Sequence, residues 1–232
     1  MRPLSLISFL LFVNFSSQNT QVIQFDIHKI LNARPVSTLN NNHLTPWIKG
    51  IDGGGFGDGY LTLSAALFSG DKQPHALPDN PLFAANKSHP EIKLHYTNTD
   101  SVNFQTCNIA GAGQAEFAVP QQKYKAIYLA LTSSEGASQL HIVLTYKGGD
   151  VTKDITLPDY YADLNPADKN LCYLAHDLAK WGNKNNMTEK DHHNIDLLKV
   201  ETDPTRILKG INIKKDKAGY LVFLAAAGET IK

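Results

Sequence analysis

Three strand-like runs follow one another closely in the sequence: Tyr124-Lys-Ala-Ile-Tyr-Leu-Ala-Leu131, Gln139-Leu-His-Ile-Val-Leu-Thr-Tyr146 and Val151-Thr-Lys-Asp-Ile-Thr-Leu157. Each run is rich in β-branched, aromatic or alternating apolar residues, which favour strands. Ser133-Ser-Glu-Gly-Ala-Ser138 separates the first two runs, and Lys147-Gly-Gly-Asp150 separates the last two. Because Gly-Gly supplies the positive φ angles of a tight hairpin turn, this stretch predicts an antiparallel meander of three strands.

Further strand-like segments lie on both sides of this meander, between clusters of turn-forming residues. Residues 171–181 fit either a short helix or an irregular strand, and residues 183–193 predict a polar loop. No regular alternation of strands and helices is visible. The predicted fold is therefore all-β: an antiparallel β-sandwich or jelly roll with long loops and at most one or two short helices. The other predicted strands are 22–27, 60–66, 92–96, 115–119, 195–200, 207–213 and 220–226.

Composition and charge exclude several classes of protein. The 232 residues are 42% hydrophobic and 19% charged, which is typical of a folded globular chain. Lys plus Arg and Asp plus Glu number 22 each, so the chain has no general electrostatic attraction to nucleic acid or anionic lipid. No linker divides the chain, and residues 21–232 are predicted to form a single β-sandwich domain. Its apolar last strand, Leu221-Val-Phe-Leu-Ala-Ala-Ala227, is expected to be central and covered on both faces.

Residues 1–20 have the pattern of a secretory signal peptide. Arg2 precedes a short apolar run that ends at Phe15, and small polar residues follow it. The run is shorter than the about 20 residues that a membrane-spanning helix needs. We therefore expect a secreted or periplasmic protein without an integral membrane segment, in a compartment that permits disulfides. The two cysteines, Cys107 and Cys172, fit either one long-range disulfide or two separate buried thiols.

Several segments of the second half share one further pattern. They are Phe117-Ala-Val-Pro120, Leu140-His-Ile-Val-Leu-Thr-Tyr-Lys-Gly-Gly149, Leu157-Pro-Asp-Tyr160 and Asp203-Pro-Thr-Arg-Ile-Leu-Lys-Gly-Ile-Asn-Ile213. With the last strand they make residues 115–227 resemble the galactose-binding-like jelly-roll domains of secreted bacterial proteins. That family includes carbohydrate-binding modules and accessory domains with no known ligand, so the resemblance implies the fold and leads us to expect carbohydrate binding. Tyr160 and Tyr161 stand where related domains often carry Trp.

A glycine-rich segment precedes the second predicted strand: Gly50-Ile-Asp-Gly-Gly-Gly-Phe-Gly-Asp-Gly59. It lacks the Gly-Lys-Ser/Thr ending of a phosphate-binding loop. Asp52 and Asp58 lie within it, and carboxylates together with backbone carbonyls are calcium ligands. Structural calcium at these two residues is one interpretation. A tight turn that brings backbones close together is the other, and it is favoured because the spacing of an EF-hand is absent.

The run Glu189-Lys-Asp-His-His-Asn-Ile-Asp196 is the most polar part of the chain. In an extended strand Asp191 and His193 share a face, and His192 shares the other face with Asn194. Imidazole and carboxylate together bind zinc and other transition metals, and His176-Asp177 is a further candidate partner. The simpler interpretation, which we favour, is a solvated loop whose side chains hydrogen-bond the backbone.

Aromatic residues near loops are candidates for sugar binding, because their faces stack on the apolar faces of sugars. The candidates are Trp47, Tyr160, Tyr161 and Trp181, with Asn183 beside the last. The alternative is that Trp47 and Trp181 are core residues. With Asp191 and His193, these residues form the predicted ligand-binding set.

No catalytic motif is present in the sequence, so a catalytic activity stays open and a non-catalytic role is favoured. Three hypotheses remain. The first is a secreted carbohydrate-binding β-sandwich, with structural calcium as its one candidate cofactor. The second is a secreted hydrolase of polysaccharides or esters that uses residues 176–196. The third is a structural or protein-contacting surface protein.

Overall fold

The computed structural model describes residues 21–53, 57–98, 101–217 and 219–231. The predicted signal peptide, residues 1–20, lies outside this range. The described part of the chain contains sixteen strands, one α-helix and one turn of 3-10 helix (His28–Ile30), joined by loops and turns. The helix, α1, is Leu63–Phe68, and none of the described residues forms a helix of a length and hydropathy suited to crossing a bilayer. The strands are β1 (Val22–Gln24), β2 (Val36–Ser37), β3 (Leu39–Asn40), β4 (His43–Leu44), β5 (Asp58–Leu61), β6 (Leu82–Phe83), β7 (Ile92–Lys93), β8 (Cys107–Ala110), β9 (Gly113–Gln122), β10 (Tyr124–Ser134), β11 (Ser138–Tyr146), β12 (Gly149–Leu157), β13 (Leu171–Gly182), β14 (Asn186–Glu201), β15 (Leu208–Lys215) and β16 (Tyr220–Thr230).

Two main sheets form a sandwich-like, all-β fold, as predicted. The larger sheet has the order β1-β16-β10-β14-β13-β5-β2, and β8 also pairs with β16. The smaller sheet has the order β12-β11-β15-β9. Every pair in the two sheets is antiparallel except β2 with β5, which is parallel. Two short hairpins, β3-β4 and β6-β7, lie outside the two sheets.

The principal core lies between the two sheets and is built by alternate residues of their strands. Ile142 and Ile213 from the smaller sheet meet Leu129 and Phe223 from the larger one, and all four side chains are buried. A second core covers the outer face of the larger sheet, where residues of the proline-rich segment 70–98 pack against β10, β14 and β16. Strand β16 contributes to both cores, which confirms that it is central and covered on both faces.

Of the two strand pairings in the predicted meander, the structure confirms one. Strands β11 and β12 pair along their full length around the Lys147-Gly148 turn. Strands β10 and β11 belong to different sheets, so the prediction that they pair is wrong. Glu135 and Gly136, both with positive φ, carry the chain from one sheet to the other. The apolar pattern of both strands is satisfied by facing the same core, and hydrogen bonding between them is not required.

Three local predictions also need correction. The strand expected over 60–66 ends at Leu61 and continues as helix α1, where Ala65 and Ala66 are good helix formers and Asp79 accepts the Ser64 N–H. The loop expected over 183–193 is wrong, because the chain from Asn186 onward belongs to strand β14. The segment 171–181, for which a short helix and an irregular strand were both open, is strand β13 with several register shifts against β14, in agreement with the second interpretation. Strand β9 continues through Pro120, which is tolerated because β9 is an edge strand.

The two cysteines are free thiols in the structure. Cys107 packs into the core between the sheets, whereas Cys172 packs against the core on the outer face of the larger sheet. A disulfide between them is therefore absent, because their side chains are on opposite sides of one sheet. Burial raises the pKa of both thiols, which makes them weak nucleophiles at neutral pH.

Candidate functional site

The β13-β14 hairpin and strand β5 bring most of the predicted residues to one end of the larger sheet. Trp181 on β13 lies opposite Gly59, and Gly182 lies opposite Asp58. A side chain at position 59 would place its Cβ 2.2 Å from the ring of Trp47 and 2.2 Å from the carbonyl oxygen of Pro35. The glycine therefore lets three segments close on one another, as the tight-turn interpretation predicted for this part of the sequence.

A buried lysine, which the sequence did not point to, lies at the centre of these residues. The Lys180 side chain is 9% exposed, and its Nζ lies 2.6 Å from Glu189 Oε1, 3.1 Å from Asp52 Oδ2 and 3.9 Å from Asp58 Oδ2. Thr188 donates a hydrogen bond to Asp58 Oδ2 at 2.8 Å. We call these residues, together with Tyr160, Tyr161 and His193, the Lys180 cluster.

The aromatic members of the Lys180 cluster pack against one another. Ring centroids are 4.5 Å apart for Tyr160 and Tyr161, 4.8 Å for Tyr160 and His193, and 4.6 Å for Tyr161 and His193. Tyr160 donates to Asp52 Oδ2 at 3.2 Å, and the hydroxyl of Tyr161 donates to Glu189 Oε2. Tyr160 is buried and Tyr161 is 45% exposed, so only the second ring presents a large surface to solvent.

His193 is fully buried inside this cluster. Its Nδ1 donates to the carbonyl oxygen of Leu178 at 2.9 Å, and its Nε2 lies 3.3 Å from Glu189 Oε2. Burial lowers the pKa of His193, and burial raises the pKa of the Tyr160 hydroxyl far above its ordinary value. The carboxylates of Asp52 and Glu189 are held by the Lys180 ammonium and by tyrosine hydroxyls. The ion pairs and hydrogen bonds of the cluster thus join the glycine-rich segment to the β13-β14 hairpin.

Asp52 and Asp58, the candidate calcium ligands, therefore share a different cation in the structure. The Lys180 ammonium lies between them, and the remaining Asp52 oxygen, Oδ1, accepts the backbone N–H of Asp58 at 3.0 Å. This arrangement gives the two carboxylates the partners that a metal ion would otherwise supply. Calcium binding at these residues stays a prediction from the sequence.

Trp47 and Trp181 are core residues, as the alternative interpretation had it. They are 9% and 4% exposed and pack with Ala65, Ala66 and Ala179 between α1 and the end of the larger sheet. The edge of Trp47 lines a small pocket of about 280 Å³ together with Asn183 and Asn185. The structure therefore brings Trp47 and Asn183 together, but little of the tryptophan surface is free to stack on a ligand.

Asp191 and His193 do not share a face, contrary to the alternation expected of an extended strand. His192, between them, has a φ of +75°, and the pairing of β13 with β14 shifts register on both sides of Leu178. This bulge turns His193 into the Lys180 cluster and leaves Asp191 beside the exposed His192, whose Nε2 lies 3.4 Å from Asp191 Oδ1. Asn194, expected beside His192, is buried and accepts the backbone N–H of Asp177.

A large open depression on the described surface contains none of the predicted ligand-binding residues. It is a groove of about 1060 Å³ on the outer face of the larger sheet, with residues of β10, β14 and β16 as its floor. Residues 85–91 form one wall, and residues 164–173 form the other. We call it the sheet groove. Its lining combines the half-buried ring of Tyr173 with amide, ammonium and carboxylate groups, which suits a polar ligand with apolar faces.

A hydrogen bond and an ion pair hold the polar side chains on the floor of the sheet groove in place. Tyr128 lies opposite Lys199 in the pairing of β10 with β14. Its hydroxyl donates to Glu229 Oε2 at 3.2 Å, and the Nζ of Lys125 lies 3.1 Å from Glu229 Oε1. Burial raises the pKa of the Tyr128 hydroxyl, which stays a hydrogen-bond donor at any physiological pH.

The walls of the groove are ordered by hydrogen bonds between side chains and backbone. The oxygen Oδ1 of Asn86 accepts the backbone N–H groups of Ser88 at 2.8 Å and His89 at 3.1 Å. The Tyr173 hydroxyl accepts the N–H of Leu164 at 2.8 Å, and the tyrosine ring packs on His176. A preformed site of this kind loses little conformational entropy when a ligand binds.

Comparisons with known proteins do not assign the chain to a family. No protein-family model matches it, and no curated protein matches it either. Among solved structures it is similar to the catalytic unit of a thermostable GH87 α-1,3-glucanase from Streptomyces thermodiastaticus strain HF3-3, with a TM-score of 0.33 and 16% identity. The match covers 55% of this chain and 20% of the glucanase chain. A similarity at this TM-score identifies neither a shared fold nor a shared activity.

Proposed function

We propose that the protein is a secreted, non-catalytic β-sandwich that binds carbohydrate in the sheet groove. The observation that carries this proposal is the lining of the groove, which combines the half-buried ring of Tyr173 and the hydroxyl of the buried Tyr128 with amide and charged groups. Tyrosine rings can stack on the apolar faces of sugars, while amides, carboxylates and ammonium groups hydrogen-bond their hydroxyls. An open groove of about 1060 Å³ suits several linked sugar units better than one free monosaccharide.

The Lys180 cluster supports a structural role better than a hydrolytic one. A glycosidase needs one carboxyl group that donates a proton and a second, ionised group on the other side of the scissile bond. In the cluster, Asp52 and Glu189 share one ammonium and accept hydrogen bonds from tyrosines. Both carboxylates are therefore held by the Lys180 ammonium and by tyrosine hydroxyls within the protein. Hydrolysis at residues 176–196 is the weaker candidate function.

Secretion is part of the same proposal and rests on the sequence of residues 1–20. A basic residue, a short apolar run and small polar residues are the signals that an export pathway reads. Polysaccharides are abundant outside cells, so export and glycan binding are consistent with each other. Cell fractionation of the expressed full-length protein, with N-terminal sequencing of the exported form, tests this part separately.

Binding is tested by calorimetry and affinity electrophoresis with soluble β-glucan, α-glucan, xylan and mannan. We expect Lys199→Ala, a change on the groove floor, to weaken binding about tenfold, which corresponds to about 1.4 kcal/mol. The matched control is Lys209→Ala, because this lysine is also half-buried but lies on β15 of the other sheet. The control should keep the affinity of the unmodified protein.

A second pair of variants separates the groove from the residues that the sequence singled out. Tyr173→Ala should weaken binding, whereas Tyr161→Ala, in the Lys180 cluster, should leave it unchanged. The reverse result would move the binding site to the Lys180 cluster. If the unmodified protein binds none of the polysaccharides, carbohydrate binding is wrong, and release of reducing ends would show an enzyme instead.

A further inference from the structure

We propose that Asp177, Asp191 and His192 form a surface site for a divalent transition-metal ion of the zinc class. The three residues come from the facing strands of the β13-β14 hairpin. One possible ligand atom from each lies within 4.8 Å of the other two. The proposal is independent of the sheet groove and of carbohydrate binding.

Each carboxylate lies beside a different nitrogen of the His192 ring. His192 Nδ1 lies 3.5 Å from Asp177 Oδ1, and His192 Nε2 lies 3.4 Å from Asp191 Oδ1. Zinc binds imidazole nitrogen and carboxylate oxygen at about 2.0–2.2 Å, so tetrahedral ligand atoms lie about 3.3–3.6 Å from each other. One ion can bind only one of the two ring nitrogens, so the relevant set has a single atom from each residue, and these atoms lie within 4.8 Å of one another. Rotation of the exposed His192 side chain and of the two carboxylates therefore has to shorten these separations by up to about 1 Å when an ion binds.

A fourth side chain supports the carboxylate of Asp177 from behind. His75 Nδ1 lies 3.0 Å from Asp177 Oδ2 and 2.8 Å from the carbonyl oxygen of the same residue. This histidine therefore occupies the place of an outer partner, the kind of group that orients ligands in metal sites. With three protein ligands, the remaining coordination positions are open to water.

The backbone holds the ligands in place through the bulge between the two strands. Asp177 and His192 both have positive φ, at +61° and +75°. The N–H of His192 donates to Asp177 Oδ1 at 3.0 Å, and the N–H of Asp177 donates to the side chain of Asn194 at 3.1 Å. The two main ligands thus face each other across the hairpin through contacts that do not depend on the ion.

The ligand chemistry selects the class of ion. Calcium and magnesium take oxygen ligands, and calcium usually takes six to eight of them. One imidazole with two carboxylates suits Zn²⁺, Co²⁺, Ni²⁺ or Cu²⁺ instead. The carboxylates are about one third exposed and the imidazole is 76% exposed, so an ion can reach the site without unfolding of the hairpin.

The test is isothermal titration of the EDTA-treated protein with ZnCl₂, and then with CoCl₂ while the visible absorption of bound cobalt is recorded. We expect one equivalent of Zn²⁺ to bind, and we expect His192→Asn and Asp191→Asn each to weaken binding at least tenfold. Asparagine is chosen at position 192 because it tolerates positive φ. The matched control is His43→Ala, since His43 is an exposed histidine of β4 whose Nδ1 lies 2.8 Å from the carbonyl oxygen of Asn41.

Three results would overturn the proposal. The first is the absence of zinc binding above that of the protein denatured in urea. The second is equal zinc affinity in the unmodified protein and in both ligand variants, with circular dichroism showing that the variants are folded. The third is binding of CaCl₂ in preference to zinc at the same residues, which would contradict the assigned class of ion.

Discussion

Asp196 gives the sharpest quantitative test of the electrostatics inside this fold. It is 1% exposed on β14, and its Oδ1 has no hydrogen-bond partner among the described residues. Burial raises its pKa from 3.8 to about 7. In the unfolded chain the carboxyl group loses its proton near its ordinary pKa, whereas the folded protein retains the proton up to about neutral pH.

The sign of the effect on stability follows from proton binding. Between about pH 4 and pH 7 the folded state binds more protons than the unfolded state, so the free energy of unfolding falls as pH rises. The maximum slope is about 1.4 kcal/mol per pH unit, and a pKa difference of about 3 units gives about 4 kcal/mol in total. The stabilisation by the protonated Asp196 is fully present at pH values below the pKa of the carboxyl group in the unfolded chain. It is lost as pH rises through the pKa of the same group in the folded protein.

The assay is urea denaturation of the unmodified protein and of Asp196→Asn at several values between pH 4 and pH 8. The variant keeps the shape of the neutral carboxyl group without its titration, so the difference between the two proteins cancels other titrating groups. We expect the variant to gain stability relative to the unmodified protein as pH rises. Asp150→Asn, at an exposed position on β12, is the matched control. A difference between the unmodified protein and Asp196→Asn that stays constant within about 0.5 kcal/mol would refute the reasoning.

Two further predictions concern stability at the hairpin end of the larger sheet. Lys180→Met leaves the carboxylates of Asp52 and Glu189 without their buried cation, so it should lower the free energy of unfolding by about 3–5 kcal/mol. Adding Asp52→Asn to that variant should restore part of the loss in urea denaturation; a loss below about 1 kcal/mol, or no restoration, would show that the ion pairs are not coupled. Gly59→Ala forces a Cβ to within 2.2 Å of Trp47 and a backbone carbonyl, so it should cost about 1–3 kcal/mol and change the near-ultraviolet circular dichroism of the tryptophans. An unchanged spectrum and melting temperature would contradict that packing.

The parts of the fold that the sequence predicted correctly are local or strongly patterned. The β11-β12 hairpin follows from Lys147-Gly-Gly-Asp150, because both strands and their turn lie within about twenty residues of sequence. The central position of β16 follows from its unbroken apolar run. The sequence did not predict which strands pair with β10, because its partners lie about 70 to 100 residues further along the chain. Period-two patterning gives the faces of a strand but does not give its neighbours.

The candidate site was predictable only by residue type. Tyr160, Tyr161 and His193 do meet in one cluster, but the cation that joins them to Asp52 lies in a segment whose secondary structure was ambiguous. A single lysine in Leu-Ala-Lys-Trp has no local signature that marks it as buried. The sheet groove was missed because residues from six separate segments line it. Its one sequence signal is a pair of lysines, Lys125 and Lys199, in the mostly apolar predicted strands 124–131 and 195–200.

The β13-β14 hairpin takes part in each of these features, which makes their independence testable. Its base contributes Lys199 to the sheet groove, and its outer half carries His192 and the Lys180 cluster. His192 and Lys199 are seven residues apart on β14, or roughly 20 Å along an extended strand. An ion at Asp177, Asp191 and His192 links the two strands directly at their bulge. Zinc should therefore raise the melting temperature through the hairpin and leave polysaccharide affinity in the groove unchanged. If zinc changed the polysaccharide affinity as well as the melting temperature, the register of the hairpin would be transmitting the effect of the bound ion to the sheet groove.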